Sequence, residues 1–338
     1  MDRPQKGRIG STFEFAEAWL NSTAPIARWL APCSPRRRRL HVETSMHTAS
    51  PLASRPTTVR AGAFQASLKY LAASDGPVQV RIYPPGIDSV RPAEVQQMVD
   101  MHDMRLQVAE FRLDECGFAL HTSPSAFVGH YDASEVRARY YPEVAAAVRK
   151  FTGALEVITF DHNVRSAARA ARGDPEVRLP AEQVHNDYTE RSGPKRQRDI
   201  LAAAGRMDLA DRHFAFVNLW RPIVGPVRDN LLGVCDVRSV RTEDFVETEI
   251  QHYGHDDLTT PRHSGEIYSV RHNPSHRWYY VSEMQPEEVL LLKCFDSRTD
   301  GRARFMAHTG FQNPTCPEDF IPRESIEART LVVFDAYR

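Results

Sequence analysis

From Gly62 onward the apolar residues of this chain fall into short β-rich runs instead of long helical periods. "FQASLKYL", "VQVRIYP", "LQVAEFRL" and "GFALHTS" read as strands, separated by turn chemistry such as "YPPG" at 83–86. The stretch "ASEVRARYYPEVAAAVRKFTG" reads as a helix that stops at Gly153. After a further strand, "EVITFDHNVR", a second helix is marked by Ser192 or Gly193 as its cap, Pro194 in its first turn and Gly205 at its end. Beyond Gly205 the pattern is almost purely β. About seven runs follow: "FAFVNLWRPI", "LLGVCDVRSV", "EIYSVRHN", "RWYYVSEM", "EVLLLKCFDS", "ARFMAHTGF" and "SIEARTLVVF". Strands so closely spaced predict an antiparallel sandwich or barrel.

Residues 1–60 break this texture. They are rich in Arg, Ser, Pro, Thr and Ala, contain the run Arg36 to Arg39, and lead through the linker-like "SPLASRPTTVR". The expected organisation is a loosely ordered segment over 1–60, followed by one domain over 61–338. The formal net charge of −1 gives no electrostatic reason to expect nucleic acid or an anionic membrane as partner, so the Arg run reads as a solvated basic stretch. No apolar run is long enough for a membrane span. The five cysteines are scattered without a C-x-x-C pair, which fits reduced thiols in a cytoplasmic protein. No Rossmann or P-loop glycine motif is present, which argues against a nucleotide cofactor.

Candidate chemistry centres on "VHNDYT". His185 and Asp187 stand at i and i+2, a spacing that puts both on one face of a strand. A second His-x-Asp, His130-Tyr131-Asp132, sits in a polar loop before a helix, where Asp132 reads as an N-cap. His272 and His276 lie around Pro274 and read as a turn between strands. Non-haem Fe(II) oxygenases use two His and one carboxylate on one face of the metal and keep the other positions open. In a double-stranded β-helix barrel the His-x-Asp comes from an early strand and the second His from a late one. His308, in "ARFMAHTGF", supplies that late residue. Arg323 and Ser325 follow at i and i+2 and offer a guanidinium fork and a hydroxyl to the far carboxylate of 2-oxoglutarate. Arg329 lies on the same strand face and is the alternative anchor.

The same segments carry a resemblance. "YPPG", "FDHNVR", "VHNDYT", "NLWRPI" with "CDVRS", "YSVRHNPSHRWYYVSEMQPEEVLLLKCFDS", "HTGFQNP" and "PRESIEARTLVVF", over about 65–335, resemble the oxygenases grouped with the cephalosporin 7α-methoxylase small component and gibberellin desaturase-like proteins. The resemblance implies a mainly β jelly-roll, cupin-like barrel with flanking helices. It implies Fe(II) on His185, Asp187 and His308, 2-oxoglutarate on Arg323 and Ser325, dioxygen as co-reactant, and a small-molecule substrate of secondary metabolism.

Substrate contacts are expected from Asn218, Trp220 and Arg221 in "NLWRPI", with Tyr188 and Tyr268 behind them. An inward Arg221 would select a carboxylate-bearing substrate. Two readings of other classes stand beside this one: a 2-oxoglutarate-independent non-haem iron enzyme, and a non-catalytic accessory subunit with a vestigial site.

Overall fold

The computed structural model describes residues 63–84 and 86–335, so the 1–60 segment lies outside the described residues. The first half runs β1 (Phe64–Leu71), β2 (Val78–Ile82), β3 (Glu94–Asp103), β4 (Phe118–Thr122), α1 (Ala133–Glu135), α2 (Tyr141–Thr152), β5 (Glu156–Ser166), α3 (Ala167–Ala171), β6 (Val177–Arg178), β7 (His185–Asn186) and α4 (Ser192–Ala203). Strands fill the rest: β8 (Phe214–Pro222), β9 (Asn230–Cys235), β10 (Phe245–His252), β11 (His263–Val270), β12 (Trp278–Tyr280), β13 (Glu288–Asp296), β14 (His308–Gln312) and β15 (Glu324–Val333).

These strands form two sheets. One has nine strands in the order β1-β3-β12-β9-β14-β7-β11-β10-β2, and the other six in the order β4-β13-β8-β15-β5-β6. From β6 to β9 and from β12 to β15 successive strands alternate between the sheets, and most pairs are antiparallel. This is the double-stranded β-helix that the strand spacing and the resemblance predict. Alternation decides what each strand contributes. On β8, Phe214, Phe216 and Trp220 enter the core between the sheets, while Ala215, Val217 and Leu219 form an outer cluster. Tyr140, Val144 and Val148, at the start of α2 and within it, cover that outer cluster. Both faces of β8 are therefore buried, which accounts for its nearly unbroken apolar run.

Three elements depart from the pattern read from sequence. "LQVAEFRL" is not a strand: residues Met104–Glu110 form a 3-10 helix, capped where the Asp103 carboxylate accepts from the Arg105 N–H. The strand is β3, just upstream, whose many polar residues hid it. After Gly205 the eight strands β8 to β15 replace the expected seven, because the half-exposed β10 was missed. β14 begins only at His308, although its apolar run starts five residues earlier.

α4 seats against β13 through Gly193, where a Cβ would lie 2.5 Å from two ring atoms of buried Phe295. That ring cannot swing away in a close-packed core. Gly193→Ala is expected to cost about 1–3 kcal/mol through overpacking. A thermal melt followed by circular dichroism checks this, and an unchanged midpoint would show that the contact is soft.

Candidate metal centre

β7 is only two residues long, but it lies between β14 and β11 in the nine-stranded sheet. Its register sets His185 directly opposite His308, with the imidazole centroids 4.4 Å apart. Each ring is fixed from behind. His185 Nδ1 lies 2.7 Å from the Gln183 carbonyl oxygen, and His308 Nδ1 lies 3.2 Å from that of Met306. A carbonyl only accepts, so Nδ1 of each ring carries the proton and Nε2 keeps its lone pair. Asp187 follows one residue past β7 and completes the group. Its Oδ1 is 3.5 Å from His185 Nε2 and 4.0 Å from His308 Nε2. The three donor atoms lie within 4.8 Å of one another. Two neutral imidazoles and one carboxylate, almost wholly buried and with their outer N–H groups anchored on carbonyls, fit a divalent first-row metal.

The second oxygen of Asp187 is held by the six-stranded sheet. In the register of β15, Arg329 faces Asp161 of β5 on one side and Asn218 of β8 on the other. Arg329 Nη1 donates to Asp161 Oδ2 at 2.8 Å, and its Nε lies 3.4 Å from Asp187 Oδ2 and 3.5 Å from Glu327 Oε1. Asn218 Nδ2 donates to Asp187 Oδ2 at 2.8 Å and to Glu327 Oε1 at 3.2 Å. Burial by itself raises the Asp187 carboxyl, but Arg329 and then the two histidines outweigh it and hold Asp187 well below the ordinary carboxylate range. Burial also disfavours a charged His308, which is pulled down to about 4 with help from His185. Glu327 is pushed up, chiefly by burial. Removing the Arg329 charge would strand buried carboxylates, a loss of the order of 3–5 kcal/mol.

Arg323 and Ser325 meet further along the same inner face. Arg323 Nε donates to Ser325 Oγ at 3.1 Å, and its Nη1 donates to the backbone and side-chain oxygens of Asn230, both at 2.9 Å. The guanidinium lies over Trp220, 5.2 Å from the ring centroid. Arg329, by contrast, is engaged in the carboxylate set behind Asp187. Asn218 and Trp220 face inward, but Arg221 does not. Strand alternation turns it to the outer face, where it donates to the Ser123 carbonyl at 3.0 Å and sits 3.8 Å from Glu143. The expected inward Arg221, and the substrate carboxylate inferred from it, are corrected accordingly. Tyr188 stacks on Phe216 at 4.1 Å and, with Asp187, lines a cavity of about 660 Å³ bounded by α4, β10 and β11. Tyr268 packs against Phe245 and Phe305.

The rival motifs take the structural roles expected of them. Asp132 caps α1 by accepting from the Ser134 and Glu135 N–H groups. His276 is held between Asp244 and Tyr70 in a turn. Sequence reading missed Glu327 and Asp161. The alternation in "RESIEARTL" carries a usable sign of Glu327, since it falls on the inner face between Ser325 and Arg329. Nothing local marks Asp161, which the β5–β15 register brings in.

The depressed His308 makes the acid limb of stability testable. Between about pH 6.5 and about 4 the unfolded chain takes up a proton on this residue that the folded chain refuses. The metal-free protein should therefore lose stability as pH falls through that window, and Asp187 adds a further loss below it. In melts across this range His308→Gln should give a shallower slope; parallel curves for the two proteins would contradict the assignment.

Comparison with known proteins agrees with this geometry. A family model described as an oxidoreductase/YMDC permease-like domain matches residues 68–333. The hydroxylase/desaturase efuI of Hormonema carpetanum is 34% identical over 269 residues, covering 74% of this chain and 88% of that protein. The alpha-ketoglutarate-dependent dioxygenase phiK of a fungal species is 34% identical over 250 residues, covering 70% of this chain and 83% of its own. The solved structure of the iron and alpha-ketoglutarate-dependent endoperoxidase NvfI superposes with a TM-score of 0.71 at 26% identity, covering 80% of this chain and 98% of that one. The chain belongs to this family of Fe(II)- and 2-oxoglutarate-dependent oxygenases.

Proposed function

We propose that this protein oxidises an unactivated C–H bond of a small molecule in secondary-metabolite biosynthesis, by hydroxylation, desaturation or oxidative ring closure. The observation that carries the reading is the convergence of His185, Asp187 and His308, with both Nδ1 atoms tied to carbonyls and both Nε2 atoms left to bind metal. When bound, Fe(II) and 2-oxoglutarate supply, with dioxygen, an oxidant able to take a hydrogen atom from such a bond, and yield succinate and carbon dioxide.

The protein's own residues hold and aim these partners. His185, Asp187 and His308 are the metal ligands. Asn218 and Arg329 fix the far oxygen of Asp187, so the near one stays directed at the histidines. Arg323 and Ser325 receive the distal carboxylate of 2-oxoglutarate, with Trp220 beneath the guanidinium. The substrate enters through the cavity lined by Tyr188 and Asp187. With Arg221 on the outer face, that residue assigns the substrate no charge class. The motif order from "VHNDYT" to "PRESIEARTLVVF" supports placing the chain beside the cephalosporin 7α-methoxylase small component and gibberellin desaturase-like proteins. A single domain over 61–338, a cytoplasmic location and the absence of a nucleic-acid partner belong to the same proposal. Four free cysteines among the described residues and the near-neutral charge support the last two.

Anaerobic reconstitution tests the proposal. A weak visible charge-transfer band should form only with Fe(II) and 2-oxoglutarate together. His185→Ala, Asp187→Ala or His308→Ala should abolish iron-dependent turnover while leaving the melt largely intact; retained activity in two of the three would remove the ligand assignment. Arg323→Ala should weaken 2-oxoglutarate roughly 30-fold or more, the scale of losing a buried charge-assisted contact, with Fe(II) binding unchanged. A larger loss with Arg329→Ala would move the anchor to that residue. Iron binding without a 2-oxoglutarate requirement would favour the co-substrate-independent enzyme, and no iron binding the accessory subunit.

A further inference from the structure

Among the described residues, Arg165, Arg323 and Arg329 bury their guanidiniums in the barrel interior, and of these three Arg329 alone forms ion pairs. Arg329 pairs with Asp161 and lies beside Asp187 and Glu327, and these carboxylates outweigh burial and raise it. Arg323 and Arg165 are also buried, 4% and 5% exposed, yet neither forms an ion pair among the described residues. Arg323 spends its bonds on Ser325 and Asn230. Arg165 makes a single hydrogen bond, from Nη1 to the Leu179 carbonyl at 2.6 Å. Burial pulls Arg323 down to about 10 and Arg165 to about 9, the opposite direction from Arg329. An uncompensated charge in a protein interior is among the costliest features a fold can carry.

The two unpaired cations share one place. Ser325 on β15 stands directly opposite Arg165 on β5, and Arg323 is bonded to that same Ser325. Diagonal neighbours in such a sheet are about 7–8 Å apart, within reach of two long side chains converging on one small anion. The carboxylates that act on them are Glu327, two residues along β15, at Arg165, and Asp229 ahead of Glu327 at Arg323; Asp229 accepts from the Arg323 backbone N–H, and neither carboxylate forms an ion pair with either guanidinium. Beside them the Asn163 side chain, buried at 2%, has no partner on either amide atom. The chamber thus carries two buried guanidiniums without an ion pair, around one hydroxyl.

We infer that Arg165 is a second cation for the distal carboxylate of 2-oxoglutarate, closing a two-arginine clamp with Arg323 across Ser325. The inference rests on the co-substrate reading above and goes beyond it by assigning a residue on a different strand. A clamp of two guanidiniums fits a carboxylate better than one, because each fork offers parallel N–H donors and both charges are desolvated together.

The test uses the full chain, loaded anaerobically with Fe(II) and titrated with 2-oxoglutarate or with 2-oxovalerate. The second acid has the same keto-acid end but no distal carboxylate. The readouts are the charge-transfer band and the rise in thermal midpoint. Arg165→Gln should weaken 2-oxoglutarate by about tenfold or more, the scale of losing a hydrogen bond to a charged group, and leave 2-oxovalerate where it was. Arg165→Lys should fall between the two proteins, and it carries the same comparison if the Gln variant does not fold. Unchanged 2-oxoglutarate affinity, or equal weakening of both acids, overturns the clamp. A wild-type chain that gives no band with 2-oxoglutarate overturns the parent reading, and the clamp with it.

Discussion

Everything at this centre depends on the pairing of two short strands. β7 is held to β14 by the His185–His308 pair and to β11 by the Asn186–Tyr268 and Ser269 register. A slip of one residue would turn both imidazoles to the opposite face, since side chains alternate strictly along a strand. The pairing is reinforced away from the histidines. Asn186 donates from Nδ2 to the Tyr188 and Cys294 carbonyls, which ties the strand end to β13 in the other sheet. Two residues of β structure therefore suffice, because both sheets grip the chain on either side of the ligands.

The second constraint is electrostatic. Burying Asp161, Asp187 and Glu327 beside Arg165, Arg323 and Arg329 costs desolvation that an apolar core of equal volume would avoid. The arrangement makes sense as a prepared environment. Around Asp187, Arg329 and Asn218 hold the carboxylate ionised and oriented before any ligand arrives. Around Ser325, the buried Arg165 and Arg323 form no ion pair among the described residues, and this is where the proposed clamp would take an anionic co-substrate. The two halves of β15 differ accordingly, with Arg329 beside Asp187 and Ser325 beside Arg165 and Arg323.

The proposed substrate cavity is built by a different part of the fold. α4 begins just after Asp187 of the candidate metal site and, with the β10–β11 hairpin, borders the cavity that Asp187 lines. Arg191 at the head of α4 pairs with Glu247 and Glu266 on those two strands, so the mouth is bridged by charges that neutralise one another. Exposed pairs of this kind contribute little to stability. Charges of both signs line the cavity, Arg191, Lys195 and Arg196 against Glu247, Glu249 and Glu266.

How much of this was legible depends on whether a signal is local. The His-x-Asp spacing, the late His308, the Arg323–Ser325 pair and the β-rich runs each rest on residues a few positions apart, and the chain determines them because strand alternation and turn chemistry act over that range. The roles of Arg221 and Arg329 could not be settled that way. One is turned outward by the alternation of a strand buried on both faces, and the other is claimed by Asp161, 168 residues distant in the chain. β10 and β3 escaped because a half-exposed strand carries too few apolar positions to stand out. The sequence by itself determined which side chains were available to bind iron and an anion. Only the tertiary structure decided which charges are neutralised and which are left for a ligand, because that depends on cross-strand register and burial, and neither is written in any short stretch of chain.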